Sequence, residues 1–246
     1  MPSLVGMKTV REGFVAETAS ADEVRQALAG HGVVVVRGRP DPDAAALEEF
    51  ARALGAPQPV PQLRYYPPCQ GSAYVHVIDS AAEKGPDVAR WHTDQSFLPD
   101  PARYTVLQAQ LLPARGGDTL FADMVRACEE LPPGWREALD GATGTHVHPL
   151  RGETARHPVV ITVPGSGLRA LYVNDWCQTD LRGVGQPAPT LADLIAHAAR
   201  EEFVHRHRWS PGDIVVWDNR RVLHRATPIG PGTRRIMHRV VVAGGR

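Results

Sequence analysis

Beyond residue 55 the chain is cut into short lengths, because most of its 22 prolines and many of its 23 glycines lie there. The lengths between them are rich in β-branched and aromatic residues: 104–112, 159–163, 170–174, 214–217 and 235–243. Short strands separated by turn residues are the pattern of a β-sandwich or barrel. The first quarter reads differently. Residues 20–29 predict a helix in which Ser20 and Glu23 form a capping box and Gly30 supplies the stop. Residues 32–38 form an apolar run around four consecutive valines, expected as a buried strand. A second helix is expected over 43–54, closed by Gly55. Two helical inserts follow, one near 123–139, interrupted at Pro132 and Pro133, and one near 190–203, where Leu191, Leu194, Ile195 and Ala198 share a face. The expected organisation is one mainly β domain over 1–246, with flanking helices and the 20–55 unit packed on the β core.

Bulk properties narrow the partners. At 246 residues and 43% hydrophobic, the chain can bury a sizeable core. Lys plus Arg and Asp plus Glu both number 27, so the basic surplus of a nucleic-acid binder is missing. No apolar run approaches the ~20 residues of a membrane span, and the first 14 residues lack the pattern of a secretory signal. Cys69, Cys128 and Cys177 are odd in number and widely spaced, which predicts reduced thiols in a cytoplasmic protein. Cys177 is expected to be buried and inert. The expected partner is a small molecule, with no nucleic acid and no membrane; a homo-oligomer is left open.

One short segment, Trp91-His92-Thr93-Asp94, carries chemistry. In extended backbone, residues i and i+2 point to the same side, so His92 and Asp94 can converge. A second imidazole from elsewhere would complete a two-histidine, one-carboxylate triad, the donor set of non-haem Fe(II) sites with open positions. Of the 11 histidines, His224 stands out by its context just past the apolar run 214–217. His146, His148 and His157 read as polar surface or as a hydrogen-bonded pocket wall. His205 and His207 alternate with Arg206 and Arg208, predicting a solvated histidine face opposite the arginines. In the last run, Arg235, Met237 and Arg239 share one face. Guanidiniums in such an apolar setting need partners if buried, and arginine binds carboxylates through paired hydrogen bonds; on an edge strand they would simply face water.

These segments together resemble the TauD/TfdA family of Fe(II)- and 2-oxoglutarate-dependent dioxygenases. The matching pieces, in family order, are Trp91-His-Thr-Asp94, Gly116-Gly-Asp-Thr-Leu-Phe121, Trp209-Ser-Pro-Gly-Asp213, Trp217-Asp-Asn219 and Arg234-Arg-Ile-Met-His-Arg239. The resemblance extends from about residue 60 to the last strand. It implies a double-stranded β-helix (jelly-roll, cupin-like) core, with Fe(II) as cofactor and 2-oxoglutarate and O2 as co-substrates. By resemblance, His92, Asp94 and His224 would bind the metal. Thr119 and Arg235 would hold the distal carboxylate of 2-oxoglutarate, and Arg239 would sit at the iron end, facing co-substrate or an anionic substrate group. Gly116 and Gly117 are read as a turn allowing close backbone approach, Asp118 as its cap, and Trp91 and Trp217 as packing.

The implied reaction oxidises an unactivated C–H, most simply by hydroxylation, with release of succinate and CO2. Members that halogenate lack the carboxylate, so the retained Asp94 implies oxygen transfer; desaturation and cyclisation share the same start. Substrate-facing positions by resemblance are Arg64, Tyr66, Gln95 and Trp176; Arg64 and Arg239 suit a small anionic substrate, while Tyr65, Tyr66 and Trp176 equally suit an apolar or aromatic one. Sulfonate-oxidising members carry a histidine where Leu63 or Arg64 stands here, which argues against taurine itself. Two other classes compete: a jelly-roll binding module without turnover, and a zinc hydrolase using the same three ligands. The intact ligand set argues against the first; the paired arginines and the lack of a His-Glu-x-x-His motif argue against the second.

Overall fold

The structure, a computed structural model, describes residues 14–18, 21–38, 43–60, 66–82 and 89–244. Ser20 of the expected capping box and Arg64 of the expected substrate set lie outside them. Along the described residues run β1 (Val15–Thr18), α1 (Ala21–Gly30), β2 (Val33–Val36), α2 (Ala44–Arg52), β3 (His76–Asp79), β4 (Tyr104–Leu111) and β5 (Thr119–Asp123). Next come α3 (Met124–Glu129), α4 (Trp135–Ala138), β6 (Thr143–Val147), β7 (Thr154–Pro158), β8 (Val160–Thr162), β9 (Arg169–Leu171) and β10 (Gln178–Arg182). Helix α5 (Leu191–Ala198) leads through a 3-10 turn to β11 (Val204–His207), β12 (Ile214–Asp218), β13 (Val222–Ala226) and β14 (Ile236–Val242).

The main sheet has the order β1-β2-β12-β4-β14-β3, and a second has β11-β5-β13. Packing explains the sequence patterns. Val33 and Val35 of β2 join Leu107, Val215, Trp217 and Met237 in a core shared with Phe121 and Val222 of the second sheet. Val34 and Val36 face the other way, against Val24, Leu28, Leu47 and Phe50 of α1 and α2. A strand buried on both faces needs an unbroken apolar run. The first helix-strand-helix unit therefore does more than pack on the β core: β2 is paired with β12 inside the main sheet. A third core gathers α3, α5, β9 and Trp91. Among the described residues no helix is long and apolar enough to cross a membrane.

The expected helix over 123–139 starts one residue late, because Asp123 ends β5 and caps α3, its Oδ1 accepting from the N–H groups of Val125 (3.1 Å) and Arg126 (3.0 Å). Asp123→Ala is expected to cost about 0.5–2 kcal/mol, read from the denaturant midpoint. The chain breaks again before α4, near the two prolines, as expected. In contrast, the histidines of β11 do not form a solvated face: His205 is half-buried and His207 is buried. His207 stands edge-on to the Trp209 ring at 4.6 Å, and Arg206 is exposed. Asp118 does not cap its turn through its side chain; that carboxylate accepts from Arg206 Nε at 2.6 Å.

Candidate metal centre

His92 and His224 are joined through their backbones. His92 N–H donates to His224 O (3.0 Å) and His224 N–H to His92 O (2.8 Å), a bridge between the 89–97 segment and β13. Their rings lie 4.1 Å apart, centroid to centroid. His92 does not belong to a regular strand; Asp94 opens a turn directly after the bridge. The convergence expected from strand pleating is thus produced by a bridge followed by a turn. One ligand atom from each of His92, Asp94 and His224 lies within 4.8 Å of the others, and all three residues are buried.

The protonation pattern suits a cation. His92 Nδ1 donates to Arg90 O at 2.8 Å, which leaves the lone pair on Nε2, the usual arrangement for a metal-binding imidazole. Burial, then the neighbouring His92, pushes His224 well below the ordinary histidine range, so it is neutral. Burial alone would raise the pKa of Asp94; the Arg239 guanidinium, and after it the hydrogen bond from the Thr105 hydroxyl, act the other way, and the carboxyl lies low, at about 2. Two neutral imidazoles and one carboxylate suit divalent iron.

Arg235 and Arg239, beside and within the last strand, both carry buried nitrogens without a hydrogen-bond partner. Strand β14 is interior, between β4 and β3, so Arg239 on it and Arg235 just before it are not an edge-strand feature. Arg235 is buried, and its Nε and Nη2 have no hydrogen-bond partner. Burial pushes its pKa down to about 10 against the pull of Asp118. A buried, uncompensated guanidinium is costly and fits a bound carboxylate. Trp209 links it to Thr119: the Arg235 guanidinium sits 5.7 Å over the indole, whose Nε1–H donates to Thr119 Oγ1 at 3.1 Å. With that lone pair occupied, the Thr119 hydroxyl proton is available to a ligand. Gly117 completes the wall: at φ +76°, an added Cβ would stand 3.2 Å from Arg235 Cδ, and at Gly116 one would strike Pro228 O at 2.2 Å. Close approach is therefore real at both glycines.

Arg239 lies nearer the triad. Its Nη1 is 3.5 Å from Asp94 Oδ1, its guanidinium is 5.3 Å from the centroid of the Tyr66 ring, and its Nε is buried without a partner. Of the expected substrate positions, Trp176 stands edge-on to His92 at 6.5 Å and contacts Phe97 and His148. Gln95, next to Asp94, has φ +57°, and its buried Oε1 lacks a partner. Non-glycine residues in this region store strain, often at functional sites. His148 is buried, its Nδ1 accepting from the N–H groups of Leu150 and Arg151. Cys177 is buried, and burial pushes its thiol up to about 11 despite the Ser96 hydroxyl, as expected of an inert thiol.

Sequence reasoning gave Trp209 no role, although it sits in a matching motif. Trp209→Phe keeps the ring under Arg235 and removes the indole N–H. Its expected effect is a roughly tenfold rise in KM for 2-oxoglutarate, the scale of one hydrogen bond, with kcat little changed; steady-state kinetics checks it.

Comparison with known proteins bears on this geometry. The family described as "Taurine catabolism dioxygenase TauD, TfdA family" matches residues 9–241. An alpha-ketoglutarate-dependent sulfate ester dioxygenase of Pseudomonas putida is 31% identical over 253 residues, covering 93% of this chain and 82% of that protein. An alpha-ketoglutarate-dependent 2,4-dichlorophenoxyacetate dioxygenase of Burkholderia sp. (strain RASC) is 36% identical over 173 residues, covering 63% of this chain and 58% of that protein. The crystal structure of a taurine dioxygenase from Burkholderia xenovorans superposes with a TM-score of 0.80 at 27% identity, covering 92% of this chain and 80% of that one.

Proposed function

The chain belongs to the TauD, TfdA family of Fe(II)- and 2-oxoglutarate-dependent dioxygenases, and from that premise we propose that it oxidises, by hydroxylation, an unactivated C–H of a small anionic organic molecule. When bound, Fe(II) couples O2 and 2-oxoglutarate to the oxidation of R–H, giving R–OH, succinate and CO2.

The chain's own residues set the conditions. His92 and His224 offer neutral imidazoles and Asp94 a carboxylate, so three donors leave room for co-substrates. Arg235 and Thr119 receive the distal carboxylate of 2-oxoglutarate. The observation that carries this reading is the buried Arg235 guanidinium, whose two partnerless nitrogens lack the anion that burial demands. A zinc hydrolase would have no use for it. Arg239, with a buried and unsatisfied Nε beside Asp94, supports an anionic group on the substrate. Trp176, Phe97 and His148 form an aromatic wall that orients the substrate body and excludes water.

The test is substrate-dependent succinate release over carboxylates, sulfonates, sulfate esters and phosphonates, each paired with a neutral analogue of the same carbon skeleton. Turnover is expected with at least one anion and reduced turnover with its neutral partner. Equal turnover of both would remove the anionic requirement. Anaerobic addition of Fe(II) and 2-oxoglutarate is expected to give the visible charge-transfer band of a chelated 2-oxo acid, and its absence at saturation would overturn the co-substrate assignment.

A further inference from the structure

The histidines and the carboxylate of the triad are positioned by different means. Backbone hydrogen bonds set His92 and His224, whereas Asp94 depends on a relay of buried side chains that starts at Asn219, just past β12. Asn219 Oδ1 accepts from Trp217 Nε1 at 3.0 Å and from the Asp94 backbone N–H at 3.2 Å, with Thr93 Oγ1 at 3.3 Å. An indole N–H and a backbone N–H can only donate, so they fix which end of the amide is oxygen. The amide nitrogen must then face Thr105, and it donates to Thr105 Oγ1 at 2.9 Å. Since that nitrogen cannot accept, the Thr105 proton is directed onward, to Asp94 Oδ2 at 2.6 Å. The direction of every proton in the relay is therefore forced from its far end.

Thr105 is a mid-sheet residue of β4, flanked by Trp217 of β12 and Val241 of β14. A buried hydroxyl there has no packing advantage over the valine that would fill the same volume. Its purpose is in the hydrogen bond it directs.

We propose that Asn219 and Thr105 are positioning residues: they fix the rotation of the Asp94 carboxylate through Oδ2 and so set the affinity of the triad for its metal. This rests on the reading of His92, Asp94 and His224 as the ligands. Outer partners that orient a ligating side chain are worth about 10–100-fold in metal affinity.

The experiment titrates Mn(II) into the metal-free protein and follows loss of the free-ion electron paramagnetic resonance signal. Thr105→Val removes the hydroxyl at constant shape, Thr105→Ser keeps it, and Asn219→Ser is too short to reach Thr105. Thr105→Val and Asn219→Ser are each expected to weaken Mn(II) binding about 10–100-fold, and Thr105→Ser to restore it to near the wild-type value. Val106→Ala, which faces α1 and α2, lowers the melting temperature but leaves Mn(II) affinity unchanged if the effect is one of positioning. Wild-type affinity in Thr105→Val, or an equal loss in Val106→Ala, would overturn the proposal. The two removal variants break the relay at different links, so one stays readable if the other does not fold. Failure of the wild-type protein to bind Mn(II) would instead overturn the ligand assignment.

Discussion

Arg235→Met is expected to make the ligand-free protein more stable while weakening its hold on 2-oxoglutarate. The two signs have one cause. In the ligand-free protein the Arg235 guanidinium is buried with two nitrogens unsatisfied, so burial works against it, as its pKa of about 10 shows. Replacing buried charged groups by apolar ones of similar volume commonly stabilises a protein by about 1–4 kcal/mol. Met also matches the surroundings, which include the Trp209 ring and Gly117. With 2-oxoglutarate present the balance reverses. The distal carboxylate loses its counter-ion in a buried site, where removing one member of a hydrogen-bonded charge pair costs roughly 2–5 kcal/mol. That is about 30-fold to several thousand-fold in affinity. Thermal melts with and without 2-oxoglutarate check both signs in one experiment: the variant starts higher and gains less from a given concentration of the ligand. A lower ligand-free melting temperature would mean that Arg235 has a counter-ion within the protein.

Asp94→Ala is expected to remove most metal binding and with it turnover. The loss exceeds the roughly 10–100-fold set by outer partners, because three unfavourable changes coincide. The anionic donor disappears, the Arg239 cation is left facing the two imidazoles with nothing between, and the Thr105 hydroxyl loses its acceptor. Asp94→Asn separates these effects. It keeps an acceptor for Thr105 and the size of the side chain, losing only the charge, so it is expected to fall between wild type and Asp94→Ala. Metal titration and substrate-dependent succinate release check the order. If the alanine variant matches the wild type in both, Asp94 is not a ligand.

The parts of the fold that were legible in the sequence are those in which one strand or helix must satisfy two layers. Residues 33–36 are valines because they pack on α1 and α2 on one face and on the second sheet on the other. The alternation of Arg235, Met237 and Arg239 likewise survives as a shared face. The small β10-β6-β7 sheet was not legible. Its strand β7 is polar and half exposed, and its histidines read equally as polar surface or as a hydrogen-bonded wall; the bonds of His146 and His157 to Ser96 decide for hydrogen bonding. His146 is fully buried with Nδ1 2.9 Å from Ser96 Oγ; nothing local in the sequence distinguishes it from an exposed histidine.

The candidate site divides along the same line. The convergence of His92, Asp94 and His224 was legible because each carries a functional group that few other roles require. Thr105, Asn219 and Trp209 were not, because each holds a neighbour in place. That role depends on contacts between residues far apart in sequence: Thr105 lies 114 positions from Asn219, and Trp209 lies 90 from Thr119. The sequence signal available was the presence of a polar threonine amid the apolar run of β4, where valine would have served packing equally well.

The reciprocal backbone bridge at His92 and His224 has a consequence for how the chain reaches its native state. Strand β13 is aligned so that His224 lies opposite Phe121 of β5. A slip of one residue would put Leu223 or Arg225 in its place and turn the imidazole to the other side. Neither side chain coordinates a cation, and the bridge to His92 would be lost in the same step. A correctly aligned sandwich and a competent metal centre are therefore one event. Because a ligand that binds only the native form draws the population toward it, a metal held by His92, Asp94 and His224 would favour the strand register that brings the three together.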